Sequence, residues 1–330
     1  MRRWQIDPQS ETWRGTAAFE AAVADLVDGR LLAVPTETVY GLAADATNAL
    51  ACADIYAAKG RPSFNPLIAH VESTKAAERH ALFDARARAL AKAFWPGPLT
   101  MVLPKRVDSP ICDLATAGLP SVALRVPAAA IMRDLAQASG RPIAAPSANR
   151  SGRISGTTAE AVAGDLGDRL ALLIDAGPTP VGVESTIVAL TDERPRLLRP
   201  GGIERQAIEA VLGETLAPAL VRPDDAPDAP GMLSSHYAPR AALRLEATHV
   251  EPDEALLAFG PDLPPGAEHA RAVVQLSARG ELREAAARLF TAMRELDASG
   301  AERIAAMPVP EAGLGEAIND RLRRAAAPRR

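Results

Sequence analysis

The sequence is poor in cysteine and in long apolar segments. Cys52 and Cys112 are the only cysteines among its 330 residues, too few for a disulfide framework or a four-ligand structural zinc site. No segment approaches the ~18 consecutive apolar residues of a membrane-spanning helix, and the N-terminus lacks the apolar region of a signal peptide. We therefore expect a folded cytoplasmic protein that does not enter a membrane.

Lysine and excess charge of one sign are also scarce. Lys59, Lys75, Lys92 and Lys105 are the only lysines among 37 basic residues, and the net charge is -4 at pH 7. Without a broad positive field, contact with nucleic acid would need a local basic patch. Lys59 stands out against the preference for arginine, because it lies in a segment rich in polar groups and its ammonium is a compact point charge.

Chain length and the order of apolar segments predict two domains. Helix-like and strand-like segments alternate up to residue 212, which favours an α/β domain with a mixed sheet over residues 1–212. Residues 213–240 predict a linker, because the segment from Pro218 to Pro239 contains five prolines, counting both ends, and no periodic apolar pattern. An extended proline-rich chain spans about 3 Å per residue, enough for this linker to cross the face of the first domain. Residues 241–330 predict a small Rossmann-like α/β domain.

A threonine-rich segment follows the first long predicted helix and strand. In an extended chain over residues 34–42, Thr36, Thr38 and Tyr40 would share one side and Glu37 would lie on the other. Two hydroxyl groups on one side favour a polar binding surface. A strand end that is simply rich in threonine explains the pattern equally well.

Cationic side chains crowd the segment after the next predicted helix. That helix spans residues 48–59, ends at Gly60 and delivers Lys59, while an extended dipeptide presents Arg61 and a strand carries His70. Three donors that converge on one anion suit a triphosphate, whose developing charge needs preorganised cations. The alternative is a lysine that complements the helix dipole, an arginine exposed on a turn and a histidine buried in the core.

An arginine lies on an otherwise apolar predicted strand. Alternation buries Val122, Leu124 and Val126 and puts Arg125 on the other face. A guanidinium fork in that position suits bidentate recognition of a carboxylate, and a structural ion pair is an equally good explanation.

A loop of small residues connects a predicted strand to a helix predicted over residues 158–166. Thr157 and Glu160 have the spacing of a capping box at the start of that helix. Ser155 would then lie just before the helix N-terminus, where free N–H groups favour an anion. An ordinary capped loop is the alternative.

Taken in order, these segments closely resemble the YrdC/Sua5 family. The motifs that carry the resemblance lie at residues 35–42, 59–70, 94–100, 124–127, 145–149 and 198–201. The linker motifs at residues 230–232 and 236–239, together with the added C-terminal domain, make the chain similar to the longer Sua5 type. The resemblance implies a YrdC-like twisted mixed sheet with flanking helices, followed by a Sua5-type C-terminal domain.

The activity that this resemblance implies is L-threonylcarbamoyladenylate synthesis. Such a nucleotidyltransferase converts L-threonine, bicarbonate and ATP into threonylcarbamoyl-AMP and diphosphate, for N6-threonylcarbamoyladenosine formation in tRNA. The implied partners include the downstream tRNA threonylcarbamoyl transferase machinery and, at most, a weak RNA contact. Mg²⁺ would enter with ATP, and neither a tightly bound cofactor nor a protein-held metal is implied.

The resemblance also assigns the site residues. L-Threonine would contact Thr38, His70, Arg125, Ala145 and Ser185. ATP would contact Arg61, Asn65, Ser121, Ser147, Ser155, Arg199 and Tyr237. The catalytic pair at the phosphates would be Lys59 and Arg61, and the linker would close over the occupied site as a lid.

Two other functions stay open at this point. A double-stranded RNA-binding module is the alternative in a different class, although the acidic charge balance opposes it. A carbamoyl-transfer domain of hydrogenase maturation is the other enzyme alternative, although the Cys-rich zinc modules that accompany such domains are missing from this sequence.

Overall fold

The computed structural model describes residues 1–219 and 236–328. Most of the predicted linker, including the motif at residues 230–232, lies outside the described residues. Within the described ranges, no helix combines the length and the apolar character that a membrane crossing requires.

The helices of the first domain flank a single sheet. They are α1 (Ala17–Val27), α2 (Ala49–Lys59), α3 (Thr74–Ala77), α4 (Ala85–Phe94), α5 (Asp113–Thr116), α6 (Ala130–Ser139), α7 (Ala159–Leu166) and α8 (Arg205–Leu212). Polar residues cap several of them: the Asn48 side chain accepts two N–H groups of the first turn of α2, and Thr158 accepts one from α7. Gly60 ends α2 in the left-handed conformation, as predicted.

The strands of the first domain form one mixed sheet. They are β1 (Arg2–Gln5), β2 (Leu32–Val34), β3 (Gly41–Asp45), β4 (Ile68–His70), β5 (Leu99–Pro104), β6 (Ser121–Arg125), β7 (Ile143–Ala144), β8 (Leu172–Asp175), β9 (Thr186–Ala189), β10 (Arg196–Arg199) and β11 (Ala217–Pro218). Their order in the sheet is β1-β8-β2-β3-β7-β4-β6-β5-β9-β10-β11. Strand β11 lies inside the predicted linker, so the sheet continues past residue 212.

The C-terminal domain is a four-stranded parallel sheet with helices. Its strands are β12 (Ala242–Arg244), β13 (Ala255–Ala258), β14 (Val273–Gln275) and β15 (Arg303–Ala306), in the order β12-β15-β13-β14, and its helices are α9 (Leu282–Ala298) and α10 (Gly315–Ala326). All of its strand pairs are parallel, which agrees with the predicted small α/β domain.

An apolar core joins the two domains. Val39, Ile154 and Val183 of the first domain pack in one cluster with Tyr237 and with Phe290 of α9. Burial of apolar surface between domains fixes their relative position more firmly than a polar contact would. The C-terminal domain is therefore packed against the loops of the first domain and not merely tethered to it.

Two local predictions are wrong. The chain from Thr36 to Val39 is not extended, because the Thr36 hydroxyl accepts N–H bonds from Thr38 and Val39 and folds the segment into a turn. The residue that caps α7 is Thr158 rather than Thr157, whose hydroxyl lies 3.0 Å from that of Thr291 in the C-terminal domain.

Candidate active site

A partly open cavity lies where the central strands end. Its lining residues are Thr38, Val39, Arg61, Ile68, His70, Arg125, Ala145, Pro146, Ser147, Glu184, Ser185, Arg199, His236 and Tyr237. We call Thr38, His70, Arg125, Ala145 and Ser185 the sheet-edge wall, and Arg61, Ser147, Arg199 and Tyr237 the loop wall.

Strand register positions the sheet-edge wall. Strands β4 and β6 are parallel, with His70 paired with Arg125 at the last position of each strand. Ala145 follows β7, and Ser185 precedes β9, two strands beyond β6. Because β7 runs antiparallel to β4, Ala145 lies beside Ile68 at the start of β4 rather than beside His70, and all four residues line the same cavity.

An ion pair underlies the Arg125 position. Its Nη2 donates to Glu37 Oε1 at 2.6 Å, its Nη1 donates to Thr38 Oγ1 at 3.1 Å, and its Nε donates to the Gly97 carbonyl at 3.2 Å. Burial alone would raise the pKa of Glu37, but the charge and hydrogen bond of Arg125 outweigh it and lower that pKa. The structural ion pair is therefore present, and it does not exclude carboxylate recognition, because Arg125 also lines the cavity.

His70 is a neutral group beside this ion pair. Burial lowers the pKa of its imidazole to about 3, and the nearby charge of Arg125 acts in the same direction. Its Nδ1 lies 3.3 Å from the carbonyl oxygen of Ile143, a contact that suits an N–H donor at Nδ1. In that tautomer, Nε2 is a hydrogen-bond acceptor.

Ser185 connects the two walls. Its hydroxyl lies 2.8 Å from that of Thr100, and Arg199 Nη2 donates to the Ser185 carbonyl at 2.9 Å and to its hydroxyl at 3.1 Å. Arg199 is the last residue of β10 and is buried. Two strand ends therefore place a second guanidinium beside a hydroxyl of the sheet-edge wall.

Arg61 is held by its own loop. Its Nη2 donates to Asn65 Oδ1 at 2.7 Å and to the Pro66 carbonyl at 2.9 Å. Burial lowers the pKa of the guanidinium to about 10, so Arg61 stays charged at neutral pH. Asn65 is fully buried and does not line the cavity, and its amide oxygen accepts the bond from Arg61.

Lys59 lies behind the cavity. Its Nζ donates to the carbonyl oxygens of Ser147 and Asn149, each at 2.6 Å. Burial, followed by the charge of Arg61, lowers the pKa of this ammonium well below its ordinary value. Lys59 lies in the last turn of α2, as predicted, but its ammonium does not line the cavity and instead holds the loop that carries Ser147.

Two predicted site serines lie away from the cavity lining. Ser155 is buried and donates its hydroxyl to Glu184 Oε1 at 2.6 Å. Ser121 is the first residue of β6, at the opposite end from Arg125 and about 13 Å along the strand. The structure therefore brings nine of the predicted residues, those of the two walls, to the cavity lining, and leaves Lys59, Asn65, Ser121 and Ser155 outside it.

Sequence reasoning missed Glu184 and His236 as lining residues. Glu184 immediately precedes Ser185, and its burial would raise its pKa, but the charges of Arg321 and Arg199 lower it. Burial lowers the pKa of His236 to about 3. The available signal was adjacency, since each residue lies next to one that had been singled out.

Two family models together match most of the chain. A model of Sua5, YciO and YrdC proteins, described as telomere recombination, matches residues 24–201. The C-terminal domain model of threonylcarbamoyl-AMP synthase matches residues 203–327. The chain belongs to the Sua5-type family of threonylcarbamoyl-AMP synthases.

Full-length relatives support this family assignment. The threonylcarbamoyl-AMP synthase of Bacillus subtilis is 40% identical, and the match covers 99% of this chain and 98% of that one. The Pyrococcus abyssi threonylcarbamoyl-AMP synthase is 42% identical over 96% of this chain and 94% of its own. The structure of P. abyssi Sua5 complexed with L-threonine has a TM-score of 0.86 at 37% identity, covering 98% of this chain and 97% of that chain.

Membership of the Sua5-type family confirms several predictions. The α/β fold with its additional C-terminal domain is confirmed, as is a nucleotidyltransferase activity, threonylcarbamoyl-AMP synthesis for tRNA modification. Escherichia coli YciO, with 21% identity and a TM-score of 0.54, and full-length HypF, with 15% identity and a TM-score of 0.51, share the fold alone.

Proposed function

We propose that this chain joins L-threonine, bicarbonate and ATP in the cavity, with threonine on the sheet-edge wall and the nucleotide on the loop wall. The observation that carries the proposal is that Arg125, Arg61 and Arg199 line one cavity. Three guanidinium groups match a carboxylate at one end and phosphate oxygens at the other. The P. abyssi relative, whose structure is a complex with L-threonine, supports an amino-acid site in this fold.

On the sheet-edge wall, the Arg125 fork would bind the threonine carboxylate while Glu37 keeps its own bond to Nη2. The neutral His70 offers a hydrogen-bonding atom without placing a second cation beside the threonine ammonium. Ala145 donates its N–H to the Ile68 carbonyl, so its contribution to ligand binding would come from its carbonyl oxygen. Ser185 would add a hydroxyl partner.

On the loop wall, Arg61 and Arg199 would bind phosphate oxygens, Ser147 would donate a hydrogen bond, and Tyr237 would pack against the nucleoside. Lys59 would act with Arg61 as the catalytic pair by fixing the Ser147 loop and adding positive potential behind it. Asn65 would orient Arg61, and Ser155 would reach the site through Glu184. Ser121 would contact the far end of an extended nucleotide.

The chemistry needs positioning and charge rather than a covalent enzyme intermediate. The threonine amine takes up CO2 from bicarbonate, with release of water, and becomes a carbamate. A carbamate oxygen then forms a bond to the α-phosphorus of ATP as the bond to the β-phosphate oxygen breaks and diphosphate leaves. Arg61 and Arg199 stabilise the charge that develops on the phosphate oxygens.

Mg²⁺ would supply further charge neutralisation on the phosphates. Residues 1–219 and 236–328 contain no group of three or more His, Cys, Asp and Glu side chains that could hold a metal ion. An ion carried mainly by phosphate oxygens and water, as is common for Mg²⁺ at nucleotide sites, would need no such group.

The chain would be divided into three regions, and its product would be passed to a second enzyme. Residues 1–212 would form the catalytic domain, 213–240 a linker whose His236 and Tyr237 close the cavity, and 241–330 the C-terminal domain. The product is a labile mixed anhydride, so a tRNA threonylcarbamoyl transferase in the same cytoplasmic compartment would consume it. Protease cleavage within residues 218–239 should slow when ATP and threonine are added together, and unchanged cleavage would remove the support for closure.

The direct test is diphosphate release from ATP with each substrate omitted in turn. We expect release only when threonine, bicarbonate, ATP and Mg²⁺ are all present, and mass spectrometry should then detect threonylcarbamoyl-AMP. Diphosphate release that continues without threonine or bicarbonate would contradict the proposed reaction.

A further inference from the structure

A fully buried arginine of the C-terminal domain lies at the rim of the cavity. Arg321 lies on α10, and its side chain has no exposed surface. Its Nε donates to Glu184 Oε2 at 2.9 Å, and its Nη1 donates to the Pro200 carbonyl at 2.6 Å. These two partners belong to the first domain, so the arginine crosses the domain interface. Its Nη1 also donates to Asp320 Oδ2 on the same helix at 2.9 Å, and the other carboxylate oxygen of Asp320 accepts a bond from Arg324.

Both first-domain partners of Arg321 adjoin a residue of one of the two walls. Glu184 is next to Ser185, Pro200 follows Arg199, and the Arg321 guanidinium lies 5.4 Å from the centroid of the Tyr237 ring. That ring is in turn stacked on Phe290, with centroids 5.4 Å apart and an interplanar angle of 26°. One side chain therefore contacts three segments that carry cavity residues.

The charges around Glu184 give this contact a specific role. Among the described residues, Glu184 is the only carboxylate that lines the cavity, and its charge influences Arg199 as well as Arg321. An anion at that position would repel phosphates and attract Arg199 away from them. A buried ion pair with Arg321 neutralises Glu184 without using a cation of the loop wall.

The cost of burying this arginine argues against a role as simple packing. Arg321 Nη2 has no hydrogen-bond partner among the described residues. Apolar side chains of similar volume often replace buried ion pairs without loss of stability, so a buried ion pair is weak evidence for a stabilising role.

We infer that Arg321 is a positioning residue of the nucleotide site, through which the C-terminal domain completes the loop wall. By holding Glu184, the Pro200 carbonyl and Tyr237, it leaves Arg199 directed at the phosphates. This inference rests on the nucleotide placement proposed above. It gives the C-terminal domain a part in substrate binding.

The test compares Arg321→Met with Arg323→Met, an exposed arginine on the same helix that pairs with Glu311. For Arg321→Met, the KM for ATP should rise about tenfold or more, because one partner of a buried charge pair is lost. The KM for threonine should change by less than about threefold, and Arg323→Met should alter neither constant. Thermal unfolding of both variants shows whether each protein is folded under the assay conditions.

A second substitution separates positioning from general stabilisation. If Arg321 acts by neutralising Glu184, then Glu184→Gln combined with Arg321→Met should return the KM for ATP to within about threefold of Glu184→Gln alone. If the two substitutions raise the KM for ATP additively in the double variant, the inference is overturned. It is also overturned if Arg321→Met only lowers kcat in proportion to the fraction of unfolded protein.

Arg199→Met distinguishes failure of this inference from failure of the proposed function. If Arg199→Met raises the KM for ATP and Arg321→Met does not, the nucleotide placement stands and the inference falls. If Arg199→Met raises only the KM for threonine, the nucleotide placement itself is wrong and the inference falls with it.

Discussion

The two walls of the cavity are built in different ways. The sheet-edge wall comes mainly from strand ends of one sheet, and its central pair, His70 and Arg125, is set by the register of β4 against β6. The loop wall combines a loop after α2, a loop after β7, the end of β10 and Tyr237 of the predicted linker, and Arg321 of the other domain contacts it. The first wall therefore depends on local sheet geometry, and the second depends on domain docking.

The largest effect should come from removing the central arginine of the sheet-edge wall. Arg125→Ala removes the proposed carboxylate-binding fork and leaves the Glu37 carboxylate without its partner, so threonylcarbamoyl-AMP formation should fall roughly 10²-fold or more. Initial rates over a range of threonine concentrations measure it, with exposed Arg141→Ala as the control. A loss confined to the KM for ATP would break the division between the two walls.

The two cations proposed to act at the phosphates, Lys59 and Arg61, should rank next. Lys59→Ala and Arg61→Ala should each reduce adenylate formation about 10²-fold, Arg61 through lost charge stabilisation and Lys59 mainly through release of the Ser147 loop. Diphosphate release measures both, and exposed Lys75→Ala is the matched control. Near-normal rates in both variants would remove the assigned roles.

Two buried histidines at the cavity should make the stability of the protein depend on pH. His70 and His236 each have a folded-state pKa of about 3, below the ordinary 6.5. The unfolded chain therefore binds more protons between pH 3 and 6.5, so the stabilisation is complete above that range and is lost as the pH falls through it. Each histidine should cost about 2 kcal/mol between pH 7 and pH 5.

Urea unfolding of His70→Gln and His236→Gln at pH 7 and pH 5 measures this loss, with exposed His269→Gln as the control. Each buried variant should show a smaller drop in unfolding free energy than the parent protein. If only His70→Gln shows the smaller drop between pH 7 and pH 5, the difference between the two walls becomes sharper. That result would mean that only the sheet-edge wall is fully closed in the absence of ligand.

The smallest effect concerns the cap of α7. Thr158→Ala removes the acceptor for the Ala161 N–H and should lower stability by about 1 kcal/mol, measured by urea unfolding. Exposed Thr12→Ala should be neutral. A Thr158→Ala variant as stable as the parent protein would contradict the assigned cap.

Local patterns were sufficient to predict much of the fold. Residue alternation predicted β6, and Gly60 marked the end of α2 as predicted. Strand β3 was missed because Gly41–Asp45 is buried on both faces and consists largely of small residues, so it shows no alternation. The turn at Thr36 depends on side-chain bonds to the backbone that an alternation rule does not include.

The site shows the same difference between what local sequence patterns predict and what depends on distant contacts. Family motifs named the residues of both walls, but no local pattern indicated that Glu37 would pair with Arg125 or Glu184 with Arg321. These pairs join residues 88 and 137 positions apart, and only the folded chain brings them together. Burial of Lys59 was equally invisible, since a lysine at a helix end is ordinarily exposed.

The reach of Arg321 across the domain interface also has a consequence for the timing of synthesis. Chains grow from the N-terminus at about 5–20 residues per second, so the 137 residues between Glu184 and Arg321 take about 7–27 s to add. During that interval the sheet-edge wall can already be folded while Glu184 still lacks its partner. A newly made chain would therefore acquire its threonine side first and a complete nucleotide side only after α10 has been made and docked.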